Sequence, residues 1–187
     1  MQDAETRLEL PILRDPTDRP SIWKILKSMI GKDITKFAVP VYLNEPISMI
    51  QKIAEIMEYE EALVKANAEK DSMVRLIHVA CFGAAQYACS ARRTGKPFNP
   101  ILGETFEYKC PKFKYIGEQV SHHPPVSAAN VDSESYEFSM QTETKLNLTF
   151  GSLKATPIGL QHIRLKSTGE HFTIARPNSH VKNLVFG

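Results

Sequence analysis

No stretch of the 187 residues approaches the roughly 20 consecutive apolar residues that a membrane-spanning helix needs. The opening MQDAETRLEL carries acidic residues and no apolar block, so it does not read as a secretory signal. Cysteine is scarce. Cys81, Cys89 and Cys110 are odd in number and contain no C-x-x-C pair, which excludes a disulfide framework or zinc ribbon and predicts reduced thiols in the cytosol. Neither sign of charge is in excess: 23 Lys and Arg against 21 Asp and Glu give a net charge of +2. That balance carries no electrostatic signature of a nucleic-acid partner. The G-x-S-x-G, H-E-x-x-H and G-x-x-x-x-G-K-[ST] motifs of common hydrolases, metalloproteases and nucleotide enzymes are also missing. What remains is an ordinary soluble composition, 42% apolar and 24% charged, in a chain long enough for one domain with a real core.

The chain reads as helices first and strands afterwards. Residues 1–20 hold Pro11, Pro16 and Pro20 among alternating charges and read as an extended arm. The arm contains a short apolar cluster, Leu8-Glu9-Leu10-Pro11-Ile12-Leu13, which must stay disordered or fold over something apolar. Ser21 is placed to cap a helix whose face is Ile22, Ile25, Leu26, Met29 and Ile30, stopped by Gly31. Val39–Leu43 reads as a short extended piece, and Asn44-Glu45-Pro46 as the start of a second helix with Ile47, Ile50, Ile53, Ala54 and Met57 facing inward. Glu58, Glu60, Glu61 and Lys65 read as a solvated face. Asp71 or Ser72 caps a third helix with Met73, Leu76, Ile77, Ala80 and Ala84 in register, and its small-residue middle around Gly83 invites close packing. From about Glu104 the period shortens. Strands are predicted over 104–108, 114–120, 126–131, 136–141, 145–150, 159–165, 171–175 and 180–186, with one buried face through Leu146, Leu148 and Phe150. Such spacing is that of an antiparallel meander or barrel.

Two motifs could carry chemistry. In Glu118-Gln119-Val120-Ser121-His122-His123-Pro124-Pro125 two imidazoles precede two residues with no backbone donor. Neighbouring side chains in a regular strand point to opposite faces. Pro124 and Pro125 end or bulge the strand, and the distortion can bring both rings toward one target. Four readings fit the pair: a structural strand end with each ring on a backbone carbonyl, a metal site lacking a recognisable third ligand, an acid–base pair lacking a nucleophile, or an anion site. The second motif is Lys96-Pro97-Phe98-Asn99-Pro100-Ile101-Leu102-Gly103-Glu104. It joins a point-charge phosphate binder, an amide donor and a rigid X-Pro turn, with Gly103 allowing close backbone approach. It equally fits an ordinary proline-rich turn with Lys96 solvated.

Together, EQVSHHPP and KPFNPILGE resemble the two hallmarks of the oxysterol-binding-protein-related family of lipid-transfer proteins. Arg7-Leu8-Glu9-Leu10-Pro11, Ser21–Lys27 and Leu43-Asn44-Glu45-Pro46 resemble that family's lid, first helix and approach to the next helix. The resemblance covers essentially the whole chain and corresponds to the N-terminal half of the family's lipid-binding domain. It implies an α+β fold: a lid over about 1–20, helices over about 21–92, and strands over about 104–187 forming an incomplete antiparallel β-barrel around a hydrophobic lipid tunnel. The implied function is cytoplasmic, with peripheral and transient membrane association and no catalysis, metal or cofactor. The lipids implied are sterol and phosphatidylinositol 4-phosphate, with phosphatidylserine exchanged in some branches. His122 and His123 would contact the 4-phosphate, Lys96 and Asn99 the phosphate joining inositol to glycerol, and Leu8, Leu10 and Ile12 the lipid body under the lid. A regulatory or membrane-interaction module without transfer activity is the competing expectation.

Overall fold

The computed structural model describes residues 41, 44–91, 93, 95–149 and 152–182. The predicted arm with Leu8, Leu10 and Ile12, and the predicted helix after Ser21, lie outside the described residues.

Where a second helix was expected to open at Asn44, the chain instead forms strand β1, Asn44–Ser48, paired in parallel with β2, Lys96–Phe98. Pro46 lacks a backbone donor, which suits a short edge strand as well as a first helical turn. The helix starts at Met49 because Ser48 caps it. Gln51 N–H donates to Ser48 Oγ, and Ser48 N–H donates to Gln51 Oε1 at 2.7 Å, a reciprocal capping box. Helix α1, Met49–Ala54, tightens into a 3₁₀ segment, Glu55–Tyr59, before α2, Glu61–Ala68, and α3, Ser72–Ala85. A second 3₁₀ segment, Gln86–Ser90, follows, and Arg93 then bridges Glu45 and Glu55, tying the approach to β2 back onto β1 and the end of α1.

The remaining strands are β3 (Thr105–Lys109), β4 (Phe113–His122), β5 (Pro125–Ser133), β6 (Tyr136–Thr149), β7 (Ser152–Ile158), β8 (Leu160–Leu165), β9 (His171–Ala175) and β10 (Ser179–Lys182). All pair antiparallel, mostly with sequence neighbours; β8 also returns to β6, and β10 pairs with β7. The two strands expected over 136–141 and 145–150 are one, and β7 was not expected at all. β7 and β8 continue one register along β6: Glu143 faces Ile158 and Met140 faces Gln161, with Gly159 between them at φ 89°. They are the two halves of one long return strand, bent at that glycine. Among the described residues the sheet stays open, because β3, β9 and β10 each have a single neighbour.

One face of the sheet is packed. Tyr115, Gly117 and Gln119 of β4 are buried while Lys114, Ile116, Glu118 and Val120 are exposed, the alternation expected of a half-buried strand. Val131, Tyr136, Phe138, Ile163 and Leu165 share that face and meet Ile53, Met57, Leu63 and Phe82 from the helices. Phe82 and Phe138 pack edge to face with centroids 5.7 Å apart. Each such fully buried side chain contributes about 1.5–3 kcal/mol relative to exposure. Ile174 of β9 fits against Gly83, where the small-residue middle of α3 admits a side chain rather than a backbone.

Three expectations about burial are corrected. Helix α3 buries Arg75, Val79 and Phe82, and leaves Met73, Leu76, Ile77, Ala80 and Ala84 exposed. Glu60 is not on a solvated face: it is 4% exposed, and Lys112 Nζ lies 3.0 Å from its carboxylate. Leu146 is exposed, and the side chains of Leu148 and Phe150 lie outside what is described.

Candidate functional site

The end of β4 departs from regular pairing just before the histidines. Gln119 faces Ser127, yet Ser121 faces Val126, so Val120 is an extra residue on β4. The bulge re-aims the last residues of the strand. The strand then turns back through His123-Pro124, whose peptide bond is cis, into β5 at Pro125. The two imidazoles end up side by side, with ring centroids 4.7 Å apart at 63°. His122 is half-buried and His123 exposed. His122 Nδ1 lies 3.0 Å from the carbonyl oxygen of Pro100. A carbonyl only accepts, so Nδ1 carries the hydrogen and Nε2 is the nitrogen left for another partner.

That contact joins the two motifs. The loop from Asn99 to Glu104 is stitched onto the end of β4. Gly103 N–H donates to Gln119 O at 2.9 Å, and Gln119 N–H donates to Glu104 O at 3.0 Å. Inside the loop, Ile101 N–H donates to the Glu104 carboxylate at 3.0 Å and Glu104 N–H donates to Ile101 O at 3.1 Å. Gly103 sits at φ 77° with open space where a Cβ would be. Its glycine is required by the left-handed backbone, not by close approach as the sequence suggested. Gln119 Nε2 donates to Asn99 Oδ1 at 3.3 Å, and Ser127 Oγ donates to Gln119 Oε1. Asn99, His122 and His123 therefore meet at one rim of the sheet. Lys96 lies three residues upstream of Asn99 on β2, exposed, with no carboxylate partner among the described residues. Leu8, Leu10 and Ile12 lie outside the described residues.

The sequence reading missed an apolar groove on the same side of the sheet. A groove of about 410 Å³ runs between α3 and β9, lined by Leu76, Val79, Gly83, Tyr87, Ile174 and Arg176 among others. At its edge Gln86 and Gln161 exchange two amide hydrogen bonds of 2.9 and 2.6 Å. Among the described residues Arg176 has no carboxylate partner. Its Nη2 donates to the backbone oxygens of Gln141 and Ile158 at 3.3 and 3.1 Å, its Nε is buried without a hydrogen-bond partner, and burial pushes its pKa below the ordinary guanidinium value. The groove shares a face with the histidine rim. Gly117, Ala129, Met140, Gln161 and Ile174 form one cross-strand row, and Gln119, Ser127 and Thr142 form the next. Gln119 could have been found from the alternation that puts Tyr115 and Gly117 inside. The groove could not, because it depends on which face of α3 meets β9. A larger hollow of about 700 Å³ lies on the outward face and includes none of the predicted site residues.

No three His, Cys, Asp or Glu are grouped to hold a metal ion among the described residues, and no described helix is long and apolar enough to cross a membrane. The rim offers the Asn99 amide and two imidazoles that donate from both ring nitrogens when protonated, with the Lys96 ammonium three residues before Asn99. That set suits an anion whose oxygens only accept.

Comparison with known proteins places this geometry. Residues 21–187 match the family model described as oxysterol-binding protein. Oxysterol-binding protein homolog 2 of Saccharomyces cerevisiae is 41% identical over 92% of this chain, which corresponds to 14% of that protein. Human oxysterol-binding protein-related protein 3 is also 41% identical, over 98% of this chain and 21% of its own length. Among solved structures, the Osh1 ORD domain in complex with cholesterol superposes with a TM-score of 0.89 at 37% identity, over 99% of this chain and 46% of that one. The Osh3 ORD of Saccharomyces cerevisiae in complex with PI(4)P superposes with a TM-score of 0.80 at 35% identity, over 90% of this chain and 46% of that one. The chain thus spans under half of those solved domains, and its open antiparallel sheet corresponds to part of their fold. On sequence and structure alike, this chain belongs to the oxysterol-binding protein family.

Proposed function

We propose that this chain binds phosphatidylinositol 4-phosphate and a sterol at one shared site, and serves their exchange between membranes. The observation that carries the reading is the joining of the two motifs at one rim, with His122 held on Pro100 O and His123 packed beside it. His122 and His123 grip the 4-phosphate, and Lys96 and Asn99 bind the phosphate joining inositol to glycerol. The lipid body lies along the buried face toward the groove between α3 and β9. Four inter-strand steps separate Gly117 from Ile174, a span of roughly 20 Å, about the length of a lipid. Apolar burial supplies most of the affinity for that body, and the rim supplies selectivity. A sterol occupies the same groove and so competes. The arm over about 1–20 is the lid, with Leu8, Leu10 and Ile12 against the lipid body, and the working location is the cytoplasm with transient membrane contact. Family members bind and transfer lipids rather than catalyse a reaction, and nothing in this reading needs covalent chemistry.

A second reading is favoured by the exposure of Met73, Leu76 and Ile77 on α3. An apolar helix face of that kind suits an interaction module that binds a membrane or partner without extracting lipid.

The test is extraction of labelled lipid from liposomes by the 187-residue chain and by the His122→Ala, His123→Ala double variant. Each lost charge-assisted hydrogen bond costs about 1.5–3 kcal/mol, so phosphoinositide binding should fall at least about tenfold. Sterol binding should stay within about twofold of the parent, since the groove is untouched. Equal loss of both ligands would assign the histidines to folding. Binding without extraction would favour the interaction module, and phosphatidylserine competing where sterol does not would change the exchanged lipid.

A further inference from the structure

We propose that Gln119 and Ser127 fix the polarity of Asn99, so that its amide presents donors and selects a hydrogen-bond acceptor. The proposal rests on the head-group reading above and names the residues that give it selectivity.

Gln119 is 1% exposed and Ser127 3% exposed. Neither can touch a ligand at the rim without the chain opening. Their side chains nevertheless form a directed relay that ends at the rim. Ser127 Oγ donates to Gln119 Oε1, and Gln119 Nε2 donates to Asn99 Oδ1. The backbone of Gln119 is clamped to the loop on both sides by Gly103 N–H and Glu104 O. The relay therefore cannot drift relative to the Asn99 loop without breaking those bonds.

The consequence lies in the amide of Asn99. An exposed asparagine presents its oxygen or its nitrogen with little to choose between them. Here the oxygen is engaged from below by Gln119, which leaves the NH₂ group and its two donors facing out. A phosphate oxygen accepts and never donates, so it fits this end. The ammonium of an ethanolamine or serine head group donates and finds no acceptor there. Buried polar chains of this kind polarise one another along their length, and a site built to pair one polarity rejects the other because its own groups are left unpaired.

Gln119 and Ser127 are thus positioning residues, acting on the lipid through Asn99. The test measures binding of the full chain to phosphatidylcholine vesicles doped with phosphatidylinositol 4-phosphate, beside binding to sterol-doped vesicles. Gln119→Met removes the donor and keeps the length, and should weaken phosphoinositide binding several-fold while sterol binding holds. Gln119→Glu replaces the donor by an acceptor, turns the Asn99 amide over and should cost more than Gln119→Met. Ser127→Ala, the mildest change, should move the same affinity in the same direction and covers the case in which a Gln119 variant does not fold. The deciding measurement is the double-mutant cycle. In an Asn99→Ala background, Gln119→Met should have no further effect on phosphoinositide binding. If Asn99→Ala alone leaves binding unchanged, the head-group reading itself fails. If Asn99→Ala weakens binding but Gln119→Met and Ser127→Ala are silent or strictly additive with it, the relay fails and the head-group reading stands. Parallel loss of sterol binding in the relay variants would assign them to packing and overturn the proposal.

Discussion

Tyr115 illustrates how single residues hold the site's platform. Its ring lies 3% exposed under the sheet, and its hydroxyl donates to Ile50 O at 2.7 Å, pinning α1 to β4. Tyr115→Phe should cost about 1 kcal/mol at neutral pH, the net worth of a typical buried hydrogen bond. Burial also pushes the Tyr115 phenol well above its ordinary pKa. The unfolded chain then ionises first, so wild-type stability falls as pH rises past about 10, the ordinary tyrosine value. The phenylalanine variant lacks Tyr115's share of that fall while Tyr136, also pushed up by burial, keeps its own, so the urea midpoints of the two proteins should differ at neutral pH and converge at alkaline pH. At this scale the sequence is informative where a local rule applies. The proline pair and the bulge before it announce a distorted strand end, and the imidazoles do meet there. Glu60 was illegible because its burial depends on Lys112 and Tyr136, more than fifty residues away in the chain.

Among the elements, α3 separates what local sequence specifies from what it leaves open. Its start is written locally. Asp71 Oδ1 accepts from Met73 N–H at 2.8 Å and from Val74 N–H at 3.2 Å. Asp71→Ala should therefore lower stability by about 1 kcal/mol, with Asp71→Asn close to neutral, read from thermal melts. Its buried face is not written locally. The stretch from Met73 to Ala85 is apolar nearly all round, so periodicity offers several faces and tertiary contact with β6 and β9 picks Val79 and Phe82. The missed strand has a similar cause. Ser152–Ile158 includes Lys154 and Pro157, poor strand formers, and it is held by its register on β6 rather than by propensity.

At the scale of the whole molecule, ion pairs between distant segments fasten the helices to the sheet. Arg75 of α3 grips the Glu170 carboxylate between β8 and β9 with two guanidinium nitrogens, 95 residues apart in sequence. Its third nitrogen donates to Glu69 O and Lys70 O at 3.1 and 2.7 Å. The hydrogen bond to Arg75 holds Glu170 below the ordinary carboxylate pKa. A depressed carboxylate stabilises the fold above its unfolded value and ceases to do so as pH falls through its folded value. Glu170→Gln should therefore be less stable than wild type at neutral pH and indistinguishable from it in acid, which urea midpoints across that range would register. The sequence showed that the large sheet follows the helices and that the histidine strand ends in a distortion, because those depend on short patterns. It did not show which helix face meets which strand, because that is set by contacts of this length. The order of the strands has one more consequence. From β3 onward every strand pairs with at least one strand made before it or directly after it, most of them chain neighbours, with β8 returning to β6 and β10 to β7. During synthesis, at about 5–20 residues per second, each hairpin can close on partners already made. The histidine rim is complete once β5 has left the ribosome, so this corner of the protein is built seconds before the strands that carry the groove beside α3.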